Sequence, residues 1–419
     1  MLLPYLEAEH LRQTLPQRPC REAMVQFFSG TSEHFYEVVV DLERASIVSE
    51  KDLRGYHSYT DFEEQTCLEQ SCLHDDRILK AIVKFDLPEG AVISVEPWTY
   101  APDGVENATQ RLTMVSRIPE AICKASRPTL TQATSCVLLI SAPKFPILVC
   151  CHEVDDGILW KHANCRTQNA VVAKSRVLIL QTIITVAKYE YIIAFHFTQA
   201  ASIRYEVRAT GILSTAPIEI NEQVPYGKVV APGVMAPYHQ HLFSLRIDPW
   251  LDGQKSSFST SESVPMPLDQ DTSPFGVGYR TRGSIIESES ARDLDITKAR
   301  TFRVLNEKSI NPMSDRTVGY EIVPSPAQML LAHPSSFHSR RSEFADHAFW
   351  VTRYHDGELF AAGDHTMQSQ GGQGIASWIK GERSVGPSGT SISSSRASQC
   401  RRRGYSSVAH FRHHPQSTG

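Results

Sequence analysis

What the sequence lacks narrows it first. No stretch offers about 18 uninterrupted apolar residues, so no membrane-spanning helix is expected. The opening "MLLPYLEAEHLRQ" reaches Glu7 and Glu9 after a few apolar residues, which is not the pattern of a secretory signal. An intracellular chain, cytoplasmic or peroxisomal, is therefore expected. Nine cysteines form an odd set without a CxxC pair or a compact framework, and read mostly as buried thiols of an intracellular chain, with at most one local disulfide. Charge of neither sign dominates: 42 Lys and Arg stand against 46 Asp and Glu, a formal net charge of −4. The overall field thus gives no reason to expect nucleic acid or an anionic membrane as partner. After Glu382 acidic residues stop entirely. That serine- and arginine-rich stretch, 383–419, reads as a disordered basic tail.

What remains is an α+β chain of 419 residues, long enough for more than one core. Residues 1–115 alternate strand and helix signals and predict a small α/β domain. "HFYEVVVDLE" (34–43) is β-branched and aromatic, as strands are. Thr60 and Glu63 have capping-box spacing and open the helical run "DFEEQTCLEQSCLHDDRILKAIVKF". Residues 116–146 fit neither pattern and read as an atypical linker. From 147 to 382, short β-branched runs such as "SRVLILQTIITVAKYEYIIAFHF", "SIRYEVRATGIL" and "HLFSLRIDPW" are separated by Gly, Pro and Asn/Asp signals. They predict a large antiparallel β-sandwich.

Two short stretches carry chemistry. In "YHQHLFSLRIDP", His239 and His241 lie two apart in a strand-like run, so both imidazoles project from one face. Such a pair suits copper, zinc, iron or nickel, and spacing alone does not choose among them or exclude two ordinary hydrogen-bonded histidines. In "TVAKYEYIIAF" (185–195), Lys188, Tyr189 and Glu190 are consecutive inside an apolar run. Neighbours on a strand alternate faces, so the run either lies at a sheet edge or turns one face to a polar pocket.

Taken together, "TVAKYEY" and the downstream "YHQHLFSLRIDP" resemble the copper amine oxidases, whose motif Thr-x-x-Asn-Tyr-Asp/Glu-Tyr/Asn contains the tyrosine that becomes topaquinone. The segments "HEVDDGILWKH", "YEVRATGILST", "VPYGKVVAPGVMAPYHQH", "DLDITKAR" and "RSEFADHAFWVTRY" extend the likeness, and "RGYHSYTD" with "VEPWTYAPDG" resemble the small domain before the catalytic sandwich. The resemblance implies oxidative deamination of primary amines by dioxygen, giving aldehyde, ammonia and hydrogen peroxide. It implies that Tyr189 is the topaquinone precursor that forms a Schiff base with substrate, flanked by Lys188 and Glu190. His239 and His241 would be two of three ligands to one copper ion per chain. Asp293, Leu294 (through its carbonyl) and Asp295 match half of a peripheral calcium site, and the family implies a homodimer.

The sequence also departs from that pattern. Lysine stands at 188 where the family has asparagine. Nothing in 116–146 matches the segment bearing the catalytic aspartate, so no general base is named. The strand with the third copper histidine is missing, and His410, His413 and His414 lie in foreign surroundings. These departures raise an alternative: a catalytically inactive amine-oxidase fragment acting at most as a dimerising or interaction module. Among lesser expectations, Cys150 stands at one half of a family disulfide, with Cys136 as a stand-in partner, but reads better as a free thiol. Trp98, Trp160, Trp350 and Trp378 read as core, His347 as a structural histidine and Arg208 as an ion partner.

Overall fold

A computed structural model describes residues 20–28, 34–58, 60–83, 95, 97–100, 111–115, 149–186, 188–249, 251–252, 256–325, 328–353, 355, 358–380 and 405–413. Nearly all of these are in antiparallel strands or their connections. The chain divides into two compact units, and the division cuts across the boundaries expected at 115, 147 and 382.

In the first unit, β1 (Glu22–Phe28), β2 (Phe35–Asp41) and β3 (Ser46–Leu53) form a meander. Phe35 and Val38 of β2 are buried, and Glu37 is kept there by cross-strand partners: Gln26 Nε2 and Lys51 Nζ each donate to its carboxylate at 3.0 Å. The helical run expected after Thr60 breaks in two, α1 (Phe62–Leu73) and α2 (Asp76–Val83), the latter belonging to the second unit. The capping box sits one residue later than the sequence suggests. Asp61 accepts from Glu64 N at 2.8 Å, and Glu64 accepts from Asp61 N at 3.0 Å. Short strands β4 (Pro97–Thr99) and β5 (Thr113–Val115) follow.

The small N-terminal part is not a free-standing domain. Leu112 N donates to Gln368 Oε1 at 2.6 Å, and the His365 ring lies 4.7 Å from that of Tyr56, so it packs within the same unit as residues beyond 242.

The second unit holds β6 (Cys150–Ala163), β7 (Ala170–Val186), β8 (Tyr189–Thr198) and β9 (Ile203–Gly211), paired in sequence order around Val177, Ile179 and Ala194. Trp160, expected in a core, is 52% exposed, because β6 is the outermost strand of this sheet. Cys150 is a free, half-buried thiol, 3.4 Å from His152 Nδ1. A small sheet of β10 (Ala216–Pro217), β11 (Gly227–Ala231) and β12 (Val234–Pro237) leads toward the histidine pair.

The sandwich proper belongs to the first unit. Strands β13 (His241–Ile247), β16 (Ser290–Arg292), β19 (Phe349–Arg353) and β20 (Tyr405–His413) make one sheet, ordered β13-β20-β19-β16. Strands β14 (Ser257–Pro265), β15 (Tyr279–Ile285), β17 (Thr301–Asn311) and β18 (Arg316–Ile322) make the other. Phe258, Phe302 and Val304 from one face meet Phe349 and Val351 from the other, all at most 2% exposed, and Phe302 stacks on Phe349 at 4.1 Å. Sheets whose apolar faces interlock in this way define a sandwich. Trp350 is buried and donates to Phe344 O at 2.9 Å, while Trp378 packs against it from the helix α4 (Ile375–Lys380), α3 being the single-turn Phe337–Arg341. The side chain of Trp98 is outside the description.

Strand β20 falls in the tail expected to be disordered. Its run "YSSVAHFRH" has no Pro or Gly, so its backbone can complete the ladder beside β19, with Phe349 opposite Ala409. The rest of that tail, the 116–146 linker with Cys136, and His414 lie outside the described residues.

Candidate metal and cofactor centre

The run read as one continuous strand is in fact a hairpin. β7 ends at Val186, β8 begins at Tyr189, and these two residues pair, with Lys188 in the turn between them. That resolves the crowding of three polar residues. Lys188 belongs to the turn, Tyr189 opens β8, and Glu190 points to the opposite face, where Thr185 Oγ1 donates to it at 2.9 Å. Tyr191, two residues on, shares the face of Tyr189, and their rings lie 6.3 Å apart.

The neighbouring strand is built to fit this corner. Tyr189 pairs with Gly211, whose φ is +114°, a backbone conformation that favours glycine. A Cβ there would collide with the Lys188 carbonyl and stand 2.9 Å from Tyr189 Cα. The chain leaving Gly211 wraps the tyrosine: Ile212 N donates to Lys188 O at 2.7 Å, and Ser214 N to the Tyr189 phenolic oxygen at 3.3 Å.

From the other side come the two histidines. His239 precedes β13 and His241 opens it, with ring centroids 4.6 Å apart. Tyr189 Oη lies 2.9 Å from His239 Nε2, and its ring meets that of His241 edge-on at 4.6 Å. Each imidazole is also tied at Nδ1 by an oxygen: His239 by Pro237 O at 2.9 Å, His241 by Tyr191 Oη at 2.6 Å. His241 Nε2 is buried and lies outside any hydrogen bond. Burial, and secondarily the Tyr189 phenol, push the Tyr191 hydroxyl pKa above its ordinary value.

Two imidazoles facing one phenol, each with Nδ1 engaged by an oxygen, fit the donor chemistry of a borderline cation such as copper. Among the described residues no group of three or more His, Cys, Asp or Glu gathers around a common point, so the pair stands without a third such ligand.

The second expected metal loop looks different. Asp293 Oδ2 lies 2.9 Å from His347 Nδ1, and its backbone carbonyl accepts from Arg300 Nη1 at 3.0 Å. Asp295 caps the short turn Ile296–Lys298, accepting from Thr297 N, and holds Lys298 Nζ at 3.2 Å. Leu294 packs against the sandwich core. Side chains of this chain thus already engage both carboxylates, a histidine at Asp293 and a lysine at Asp295. Arg208 pairs with Glu206 at 3.7 Å, as an ion partner on the sheet.

Sequence reading found Tyr189, His239 and His241 but missed Tyr191, Ser214, Pro237 and Gly211. For Tyr191 a signal existed, the period-two spacing from Tyr189. The backbone partners carry none.

Comparison with known proteins identifies the family. Residues 141–389 match the family described as "Copper amine oxidase, enzyme domain", and the chain belongs to the copper amine oxidase family. It is 46% identical over 230 residues to copper amine oxidase 1 of Aspergillus niger, covering 55% of this chain and 34% of that protein. Over 239 residues it is 34% identical to the histamine oxidase of Arthrobacter globiformis, covering 57% and 34%. The peroxisomal primary amine oxidase of Pichia angusta is 35% identical over 240 residues, covering 55% and 35%. The matched part thus spans about a third of these relatives' length. In fold, the chain is similar to a copper-containing benzylamine oxidase from Hansenula polymorpha, with TM-score 0.79 and 24% identity over 99% of this chain and 88% of that one.

Proposed function

We propose that this chain carries the cofactor-forming centre of a primary amine oxidase, which converts a primary amine, dioxygen and water to aldehyde, ammonia and hydrogen peroxide. Tyr189 is the topaquinone precursor, and His239 and His241 hold one copper ion. The observation that carries the reading is the 2.9 Å contact between Tyr189 Oη and His239 Nε2, with His241 edge-on to the same ring. Copper with dioxygen supplies the oxidising chemistry, and the mature quinone supplies a carbonyl sink for the electrons of the amine.

The rest is the work of residues present here. A carbonyl only accepts, so in the metal-free chain His239 Nδ1 carries the ring proton that Pro237 O receives, and Nε2 accepts the Tyr189 hydroxyl proton with the lone pair that a copper ion would take instead. Ser214 N–H donates to the same oxygen and favours negative charge on it as that proton moves. Gly211 lets the backbone close around the ring. No described residue is assigned as general base. Lys188 replaces the family's asparagine at the turn, and a cation there disfavours a nearby metal ion and a protonated amine. Calcium at Asp293, Leu294 and Asp295 is a further implication of the family, and an ion there would compete with His347 and Lys298 for the two carboxylates.

A homodimer and an intracellular setting, cytoplasmic or peroxisomal, are the family's implications, and the peroxisomal names among its relatives support the second.

The test is copper loading of the full chain in air, then phenylhydrazine and peptide mapping. A coloured adduct on the Tyr189 peptide, absent from Tyr189→Phe, is expected. Copper uptake with an unmodified, colourless Tyr189 peptide would contradict the proposal.

A further inference from the structure

The two tyrosine–histidine contacts of the centre look alike and do opposite things. Tyr189 meets His239 at Nε2, the nitrogen left open because Pro237 O takes Nδ1. Tyr191 meets His241 at Nδ1, at 2.6 Å, in the position that the Pro237 carbonyl occupies for the other ring. We infer that Tyr191 is a positioning residue for the metal: its hydroxyl oxygen receives the His241 Nδ1 proton, which fixes the ring tautomer that offers Nε2. This rests on the metal reading of the preceding section.

The physical argument is one of proton count. A neutral imidazole has one N–H and one lone pair, and the partner of either nitrogen decides which is which. A cation on Nε2 requires the proton on Nδ1, where it needs an oxygen acceptor. For His239 that acceptor is main chain and survives any substitution. For His241 it is a phenol, which one substitution removes. Phenylalanine at 191 would keep the ring packed beside His241, 5.7 Å away at 61°, while leaving the Nδ1 proton facing no acceptor there. Ligand histidines commonly donate their second N–H to an oxygen, and losing that partner costs about 10- to 100-fold in metal affinity.

The experiment is a competition titration of the full chain with Cu(II) against a chelator of known affinity. It uses wild type, Tyr191→Phe, and the double substitution His239→Ala with His241→Ala. The expected result is uptake by wild type, none by the double variant, and a dissociation constant raised about 10- to 100-fold in Tyr191→Phe. Ring-15N histidine NMR of the zinc-loaded wild type gives a second readout that needs no variant to fold. It is expected to show His241 protonated at Nδ1. Equal affinity of Tyr191→Phe and wild type, or His241 protonated at Nε2 in the zinc-loaded chain, would overturn the role of Tyr191 alone. Absence of uptake by wild type, or uptake unchanged in the double variant, would overturn the metal reading and this inference with it.

Discussion

The Tyr189–His241 corner and the Asp293–Asp295 loop both carry residue types that a metal ion would use, yet their surroundings differ in one decisive respect. At the corner, the protein's own contacts take the Nδ1 side of each histidine, leaving His239 Nε2 on the phenol and His241 Nε2 outside any hydrogen bond. At the loop, a histidine, a lysine and an arginine already answer the two acidic residues. A ligand-type residue becomes a ligand only when its neighbours have spent its other bonding capacity elsewhere. The loop's acids are instead engaged by a histidine and a lysine, and a calcium ion there would have to displace them.

The contrast can be broken most decisively at the histidines. Replacing His239 and His241 together by alanine should remove copper uptake altogether, as read by equilibrium dialysis. The same assay on Asp293→Asn should show unchanged uptake. Next in size is Gly211→Ala. Its Cβ has no room beside Lys188 and Tyr189, and a strained positive φ costs on the order of 1–3 kcal/mol. Thermal unfolding should report at least that loss, with weakened quinone formation in whatever remains folded.

Millimolar calcium or a calcium chelator should leave the melting temperature of wild type unchanged if the His347 and Lys298 contacts hold against the ion, whereas a rise with calcium would show that it displaces them. The smallest effect concerns acid. Hydrogen bonding from Thr297, aided by Lys298, holds the Asp295 carboxyl below its ordinary range. A carboxyl lowered by folding contributes stability above its unfolded value of about 3.9, and that contribution fades as pH falls through the lower folded value. Stability of Asp295→Asn measured against pH should therefore be flatter than wild type below about pH 4.

How much of this was legible in the sequence follows from where each feature is encoded. "HFYEVVVDLE" carries its strand locally and forms β2. The histidine pair was visible from its spacing, and its role with the tyrosine only through the resemblance to the family's motif. The hairpin between β7 and β8 was not, because its turn lacks Gly, Pro or Asn. Its position is set by pairing with β9, where Gly211 alone accommodates the close approach. Trp160 was misread because apolar area does not tell an inner strand from an outer one. The work of Tyr191 was hidden for a further reason: which nitrogen of His241 it meets depends on two segments 50 residues apart.

Pulsed EPR of the Cu(II)-loaded chain tests the centre most directly, since remote imidazole nitrogens modulate the echo. Two coordinated imidazoles are predicted in wild type and none in the double alanine variant. A signal with no imidazole, or one indifferent to both substitutions, would contradict the account.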